Sequence, residues 1–160
     1  MIKRLLILCA MFFATPALAQ ANAPLSAKNP TAFAAQLRSM GYAPGPVDNS
    51  NAEFPMLTFE SGGWTIHVSF GGCTNGVNCR YIVLVSIFDQ VKNPPADWVA
   101  ELNVDFDIIK VWRGDSGNLT FSSGAIIEGW PRSTFKAWLE EYVYSGDDLA
   151  REARNAGLMK

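Results

Sequence analysis

The sequence predicts an α+β domain in which helices cover one face of an antiparallel five-stranded sheet. Three observations carry that expectation. Trp64, Ile66, Val68 and Phe70 alternate with Thr65, His67 and Ser69, the period of a strand with one buried face. Gly62-Gly63 and Asn75-Gly76 are tight-turn signals between apolar runs, and strands joined by tight turns pair antiparallel. Phe135, Trp138, Leu139 and Tyr142 recur at i, i+3, i+4 and i+7, one apolar face of a helix.

The elements follow in the order α-β-β-β-α-β-β-α. Asn29 is an N-cap and Pro30 the first helical residue of a helix whose Phe33, Leu37 and Met40 share a face, with Gly41 as its stop. Two prolines and several turn formers make 42–51 a loop. Strands are expected at 54–60, 64–70 and 81–88. The third is apolar on both faces apart from Ser86, so it belongs at the centre of the sheet. Asn93-Pro94-Pro95 interrupts the sheet, and 97–103 forms a short helix carrying Trp98 and Leu102. Strands at 108–113 and 119–123 flank the turn Asp115-Ser116-Gly117-Asn118. Pro131 opens the last helix. Ser145-Gly146 should weaken it, with Asp147 capping a terminal segment that runs to Gly157 and frays.

The N-terminus reads as a targeting signal. Lys3 and Arg4 precede an apolar run over 5–14, Pro16 breaks it, and Ala17-Leu18-Ala19 fits a cleavage site after Ala19. Ten apolar residues are too few to span a bilayer. Residues 1–19 are therefore a signal peptide, 20–28 a flexible leader, and 29–160 a single domain. Of 160 residues, 141 remain after removal of 19, with 11 basic against 15 acidic side chains and a net charge of −4. That balance argues against a nucleic-acid footprint. The expected location is the periplasm or outside the cell, with no stable membrane insertion after cleavage.

Export changes the meaning of the cysteines. Cys9 leaves with the signal, and Cys73 and Cys79 remain as an even pair in an oxidising compartment. Asn75-Gly76 between them is a turn that brings the two sulfurs within bonding reach, so a structural disulfide is expected. A redox-active thiol pair is the rival reading.

No constellation in the sequence specifies a reaction. His67 is the one histidine and the obvious general base, yet it falls on the polar face of an alternating strand. It would need a carboxylate such as Asp105 or Asp107. Asp147-Asp148 and Glu140-Glu141 lack the spacing of a calcium loop, and Asp115-Ser116-Gly117-Asn118 is explained as a β-turn. Gly62-Gly63 and Gly71-Gly72 lack the residues of a phosphate or dinucleotide loop. One His and the cysteines are thin material for zinc. No metal, cofactor or catalytic residue is assigned. Asn118-Leu119-Thr120 fits a glycosylation acceptor, expected unmodified in a bacterial setting. Among five tryptophans, Trp112, Trp130 and Trp138 are the candidates for an interaction surface.

Several local strings resemble the YbjN-like family of bacterial proteins. They are the Leu37…Gly41-Tyr42 helix end, the Phe70-Gly71-Gly72-Cys73…Cys79 hairpin and Val111-Trp112-Arg113…Asp115…Gly117-Asn118-Leu119. The stretch from Ile126 to Phe135 and the aromatic helix to Tyr142 fit as well. Residues 103–107 depart from the Asn- and Trp-containing helix end of that pattern. The resemblance implies a fold like type III secretion chaperones, frequent dimerisation, a role in regulating sensory transduction and no catalytic residues to carry over. The expectation is an exported, non-enzymatic envelope protein that binds a protein or peptide and pairs as a homodimer. The alternative is a hydrolase or small-ligand enzyme built on His67.

Overall fold

The computed structural model describes residues 23–159, so the signal peptide and the cleavage after Ala19 that the sequence leads us to expect lie outside the described residues. Helix α1 spans Pro30–Ser39, and the Asn29 side chain accepts the Ala32 N–H at 3.0 Å as its N-cap. The Gly41 and Tyr42 N–H groups return to the Arg38 and Leu37 carbonyls and close its C-terminus. Strands β1 (Met56–Ser61), β2 (Trp64–Gly71) and β3 (Tyr81–Lys92) follow, then helix α2 (Ala96–Asp105), β4 (Lys110–Arg113), β5 (Asn118–Ala125) and helix α3 (Arg132–Asn155). The sheet is antiparallel throughout, in the order β1-β2-β3-β5-β4. The α+β class, the five strands and the element order are those the sequence predicts, and β3 is central.

The three helices of the described residues lie on one face. Ile66, Val68 and Phe70 of β2, Ile82 and Leu84 of β3 and Phe121 of β5 point into the core beneath them. Phe33 of α1 sits edge-on to both Phe70 and Phe135 at 5.6 and 5.7 Å. Trp64 contacts Phe88 and Phe121 at 5.4 and 5.0 Å, and Phe121 reaches Tyr142. Edge-to-face pairs of this kind add about 0.5–1.5 kcal/mol each beyond their buried area.

Several boundaries differ from expectation. The first strand starts at Met56, because Asp48 and Met56 exchange backbone hydrogen bonds while side-chain turns at Asp48 and Asn51 fold the preceding loop. The third strand runs on to Lys92, with a register break between Phe88 and Lys92. The fourth begins at Lys110. The last helix is continuous through Ser145-Gly146 to Asn155, and its terminal turns are docked by fully buried Leu149 and Ala153. The expected break and fraying are corrected by one packing fact. A Cβ at Gly146 would lie 2.8 Å from Phe121 Cζ and 2.9 Å from Trp64 Cε2. The glycine admits the sheet, and the burial it permits outweighs the roughly 1 kcal/mol that glycine costs a helix.

The flexible leader is corrected where it is described. Leu25 is fully buried, and its N–H and C=O pair with the Trp130 carbonyl and the Gly129 N–H. Ser26 and Lys28 both bond the Glu128 carboxylate, at 2.7 and 2.9 Å, and these bonds hold its pKa below the usual range. The outer edge of β4 is also covered. The Asn103 amide donates to the Val111 carbonyl and accepts its N–H, both at 2.8 Å, standing in for a neighbouring strand.

Cys73 and Cys79 are disulfide-bonded, with Cα atoms 3.9 Å apart. Between them Asn75 and Gly76 both adopt positive φ, +50° and +77°, and Thr74 and Val77 pair across the turn. That is the two-residue hairpin geometry for which Asn-Gly is selected.

Two predictions follow from this packing. Gly146→Ala, which elsewhere in a helix would stabilise, is expected to cost about 1–3 kcal/mol through overpacking and to lower the thermal midpoint by circular dichroism; an unchanged or raised midpoint contradicts the contact. The protein lacking residues 1–19 should show no free thiol without reductant, and the double change Cys73→Ala, Cys79→Ala should cost about 2 kcal/mol in urea unfolding.

Candidate functional site

The pairing of β2 with β3 runs from Gly71↔Tyr81 to His67↔Val85 and stops there. Both strands continue past that point. Ile66, Thr65 and Trp64 go on pairing with β1, and Ser86, Ile87 and Phe88 go on pairing with β5. Strand pairing therefore ends there, at a fork, and what bridges the two strands beyond it is the Ser86 hydroxyl, which donates to the Thr65 carbonyl at 2.9 Å, and the edge-on contact of Trp64 with Phe88.

A cavity of about 570 Å³ occupies the fork, within the roughly 300–1,000 Å³ typical of ligand sites. Its walls combine side chains from both faces of the sheet. Thr65, His67 and Ile87 come from the helix-free face, and Trp64 and Phe88 from the helical face. Two glycines at positive φ, Gly62 and Gly63, make the β1–β2 turn at its rim, and Ala150 and Arg154 of α3 close one side.

Three side chains of this cavity, His67, Trp64 and Asp89, have a hydrogen-bond partner within the fold. His67 Nδ1 lies 3.0 Å from Thr58 Oγ1 on the neighbouring strand. The Trp64 indole donates to Asp147 Oδ1 at 3.0 Å. Asp89 accepts from the Asn118 amide, whose oxygen in turn accepts from Lys92. The register break after Phe88 turns Asp89 and Gln90 toward the cavity, a use of strand irregularity common beside binding sites. Behind it, the buried Tyr142 hydroxyl donates to the Phe121 carbonyl at 3.3 Å, and burial pushes its pKa well above the ordinary phenol value.

The carboxylates named from sequence do not join His67. Asp105 lines a separate cavity of about 360 Å³ between α2 and α3, with Asp148 and the Arg151 that pairs with it. Asp107 is exposed on the loop before β4 and does not line the His67 cavity. The carboxylates that do share its cavity are Asp89 and Asp147. Among the described residues, no three His, Cys, Asp or Glu side chains gather as a metal cluster.

The three tryptophans proposed as a surface are separated. Trp112 is half-buried on the helix-free face, opposite Thr120 of β5. Trp130 and Trp138 stack edge-to-face at 5.7 Å on the helical side, and the Trp138 indole donates to Ser123 Oγ at 3.0 Å. Trp64, which the sequence offers both to a ligand groove and to a strand's buried face but not among the three chosen candidates, is the tryptophan at the cavity. Nothing local marked it, because the site depends on where pairing between two strands ends. The Asn118 side chain of the expected acceptor sequence is buried and engaged by Asp89 and Lys92.

The helix-free face carries Val83 and Val85, both half-buried, and Ile87, 46% exposed, as a stripe along its central strand. No helix of the described residues is long and apolar enough to cross a membrane, and the disulfide is compatible with an oxidising compartment. Compared with known proteins, the chain matches no family model, no curated protein and no solved structure.

Trp64→Phe keeps the ring packing and removes the N–H. It is expected to cost about 1 kcal/mol, the value of one partly solvated hydrogen bond, measured by urea unfolding. A neutral result would mean that the Asp147 bond does not hold the helix to the fork.

Proposed function

We propose that this is an exported protein of the bacterial envelope, periplasmic or secreted, that acts by binding a protein or peptide segment and not by catalysis. The observation that carries this reading is the combination of a helix-free sheet face, striped by Val83, Val85 and Ile87, with a fork cavity opening beside it. Exposed apolar stripes rimmed by polar side chains are characteristic of interaction surfaces. The Ser, Thr and Trp112 side chains around the stripe supply such a rim. His67, Trp64 and Asp89 of the cavity are engaged in bonds within the fold, which suits recognition better than proton transfer. The resemblance to YbjN-like proteins and to the type III secretion chaperone fold supports a regulatory or chaperone-like role, and self-pairing through this face is part of the proposal.

The alternative, a hydrolase in which His67 works with a carboxylate, has one observation in its favour: His67 and Asp89 line the same cavity. Turnover of a model ester that disappears in His67→Ala would establish it.

The binding reading is tested by capture from an envelope extract on the immobilised, disulfide-bonded protein. A retained partner lost in both Val83→Glu and Trp112→Ala is the expected result, and nothing retained above background overturns the reading. Light scattering at high concentration should report a dimer; a strict monomer removes the self-pairing element.

A further inference from the structure

We propose that Asn75-Gly76, at the tip of the hairpin closed by Cys73–Cys79, is a latent deamidation site. It keeps its amide while the disulfide stands and loses it once a dithiol reduces the bond. The site lies apart from the sheet face and the fork cavity, and the proposal does not depend on what they bind.

The chemistry is local. In an Asn-Gly pair the glycine nitrogen can attack the asparagine side-chain carbonyl carbon, because no side chain on the following residue crowds the approach. Asn75-Gly76 is the one such pair in the chain. The Gly76 nitrogen gives up its proton and bonds to Asn75 Cγ, the side-chain nitrogen leaves as ammonia, and a cyclic imide remains. Water then opens either imide C–N bond. The product at position 75 is aspartate, or isoaspartate with an added carbon in the backbone.

The folded hairpin blocks the first step. Asn75 is exposed, so water reaches its amide, but Gly76 is buried and its N–H is donated to the Ala52 carbonyl at 2.9 Å. An amide nitrogen held in that way keeps its proton and its orientation. Thr74 and Val77 exchange backbone bonds across the turn, at 2.7 and 3.1 Å, and Asn75 and Gly76 are fixed at positive φ between them.

Little besides the cross-link keeps the hairpin closed. Thr74, Asn75, Val77 and Asn78 are exposed, and the ties to other segments are the backbone bonds to Ala52 and Lys28. Segments with few buried apolar contacts open locally at low cost. Cys73 is less buried than Cys79 and is the sulfur that an attacking thiolate reaches. The dithiol passes two electrons and two protons to the Cys73–Cys79 bond and becomes a disulfide itself, leaving two protein thiols. Reduction is reversible and loss of the amide is not, so the hairpin keeps a covalent record of having been opened. The change also places a carboxylate beside Asn49 and Ala52, facing a loop that already carries Asp48 and Glu53.

The test holds the disulfide-bonded protein lacking residues 1–19 in mildly alkaline buffer, with and without dithiothreitol. Peptide mass mapping follows amide-to-acid conversion at position 75. Conversion should be at least about tenfold faster in the reduced protein, in keeping with the constraint a short cross-link supplies. Hydrogen exchange of the β2–β3 ladder around buried Val68 and Leu84 should stay protected, which separates opening of the hairpin from unfolding. The double change Cys73→Ser, Cys79→Ser should convert at the reduced rate without dithiothreitol. The reductant arm needs no variant, so it decides the matter even if the double variant fails to fold. The proposal is overturned by a smaller or absent difference between the two states, by an amide that survives in the reduced protein, or by conversion that comes only with loss of protection at Val68 and Leu84. A folded double variant that keeps its amide overturns it as well.

Discussion

The close approach of helix α3 to the sheet at Gly146 is the contact on which the other features depend. With 2.8 Å between a hypothetical Cβ and Phe121, no other residue fits without moving the helix or the aromatic cluster. Because the helix lies so low, Tyr142, Leu149 and Ala153 are all fully buried along its length. The same approach brings Asp147 to the Trp64 indole and Ala150 to the cavity wall. Core packing and the candidate site are thus one arrangement: the helix that seals the hydrophobic face also holds the fork in shape. A glycine that weakens a helix by local propensity is retained where a distant aromatic pair needs its missing side chain.

The central strand shows the same coupling from the other side. Strand β3 pairs with β5 along most of its length, then breaks register between Phe88 and Lys92. Such a break costs ladder hydrogen bonds, and here it is stabilised by side chains. Asn118 bonds Asp89 and Lys92 at once, the Asn93 N–H reaches the Gly117 carbonyl, and Val91 is fully buried. The irregularity is therefore fixed, and it turns Asp89 and Gln90 toward the gap.

The sequence made legible whatever one element decides for itself. The alternation in Trp64–Gly71 gave the buried face of β2, Asn29-Pro30 the start of α1, and Asn75-Gly76 the turn of the disulfide hairpin. What it hid was decided by contacts far along the chain. The segment before α1 looks flexible from its composition, yet Leu25 is held by Gly129 and Trp130, about a hundred residues on. Ser145-Gly146 reads as a weak point because propensity does not register Phe121 and Trp64. Strand β3 seems to stop at Phe88 because Asp89 and Gln90 break the apolar run, and Val91 resumes the core only after the bulge. The fork could not be read at all. Its residues obey the strand period on both sides, and it exists because two strands that could pair for three more positions do not.

The disulfide gains a mechanical meaning beside the fork. Five paired positions, His67↔Val85 to Gly71↔Tyr81, separate the open end of the β2–β3 pair from the end closed by Cys73–Cys79. The closed end is tied further: the Asn78 N–H bonds the Lys28 carbonyl, and the Gly76 N–H bonds the Ala52 carbonyl. A cross-link acts chiefly by limiting the unfolded chain, but its position here also sets where the ladder can give way. Anything that wedges the open end works against a short ladder whose far end cannot separate. The register of that ladder is fixed by burial as well, since a slip by one residue would turn Ile66, Val68 and Phe70 out of the core.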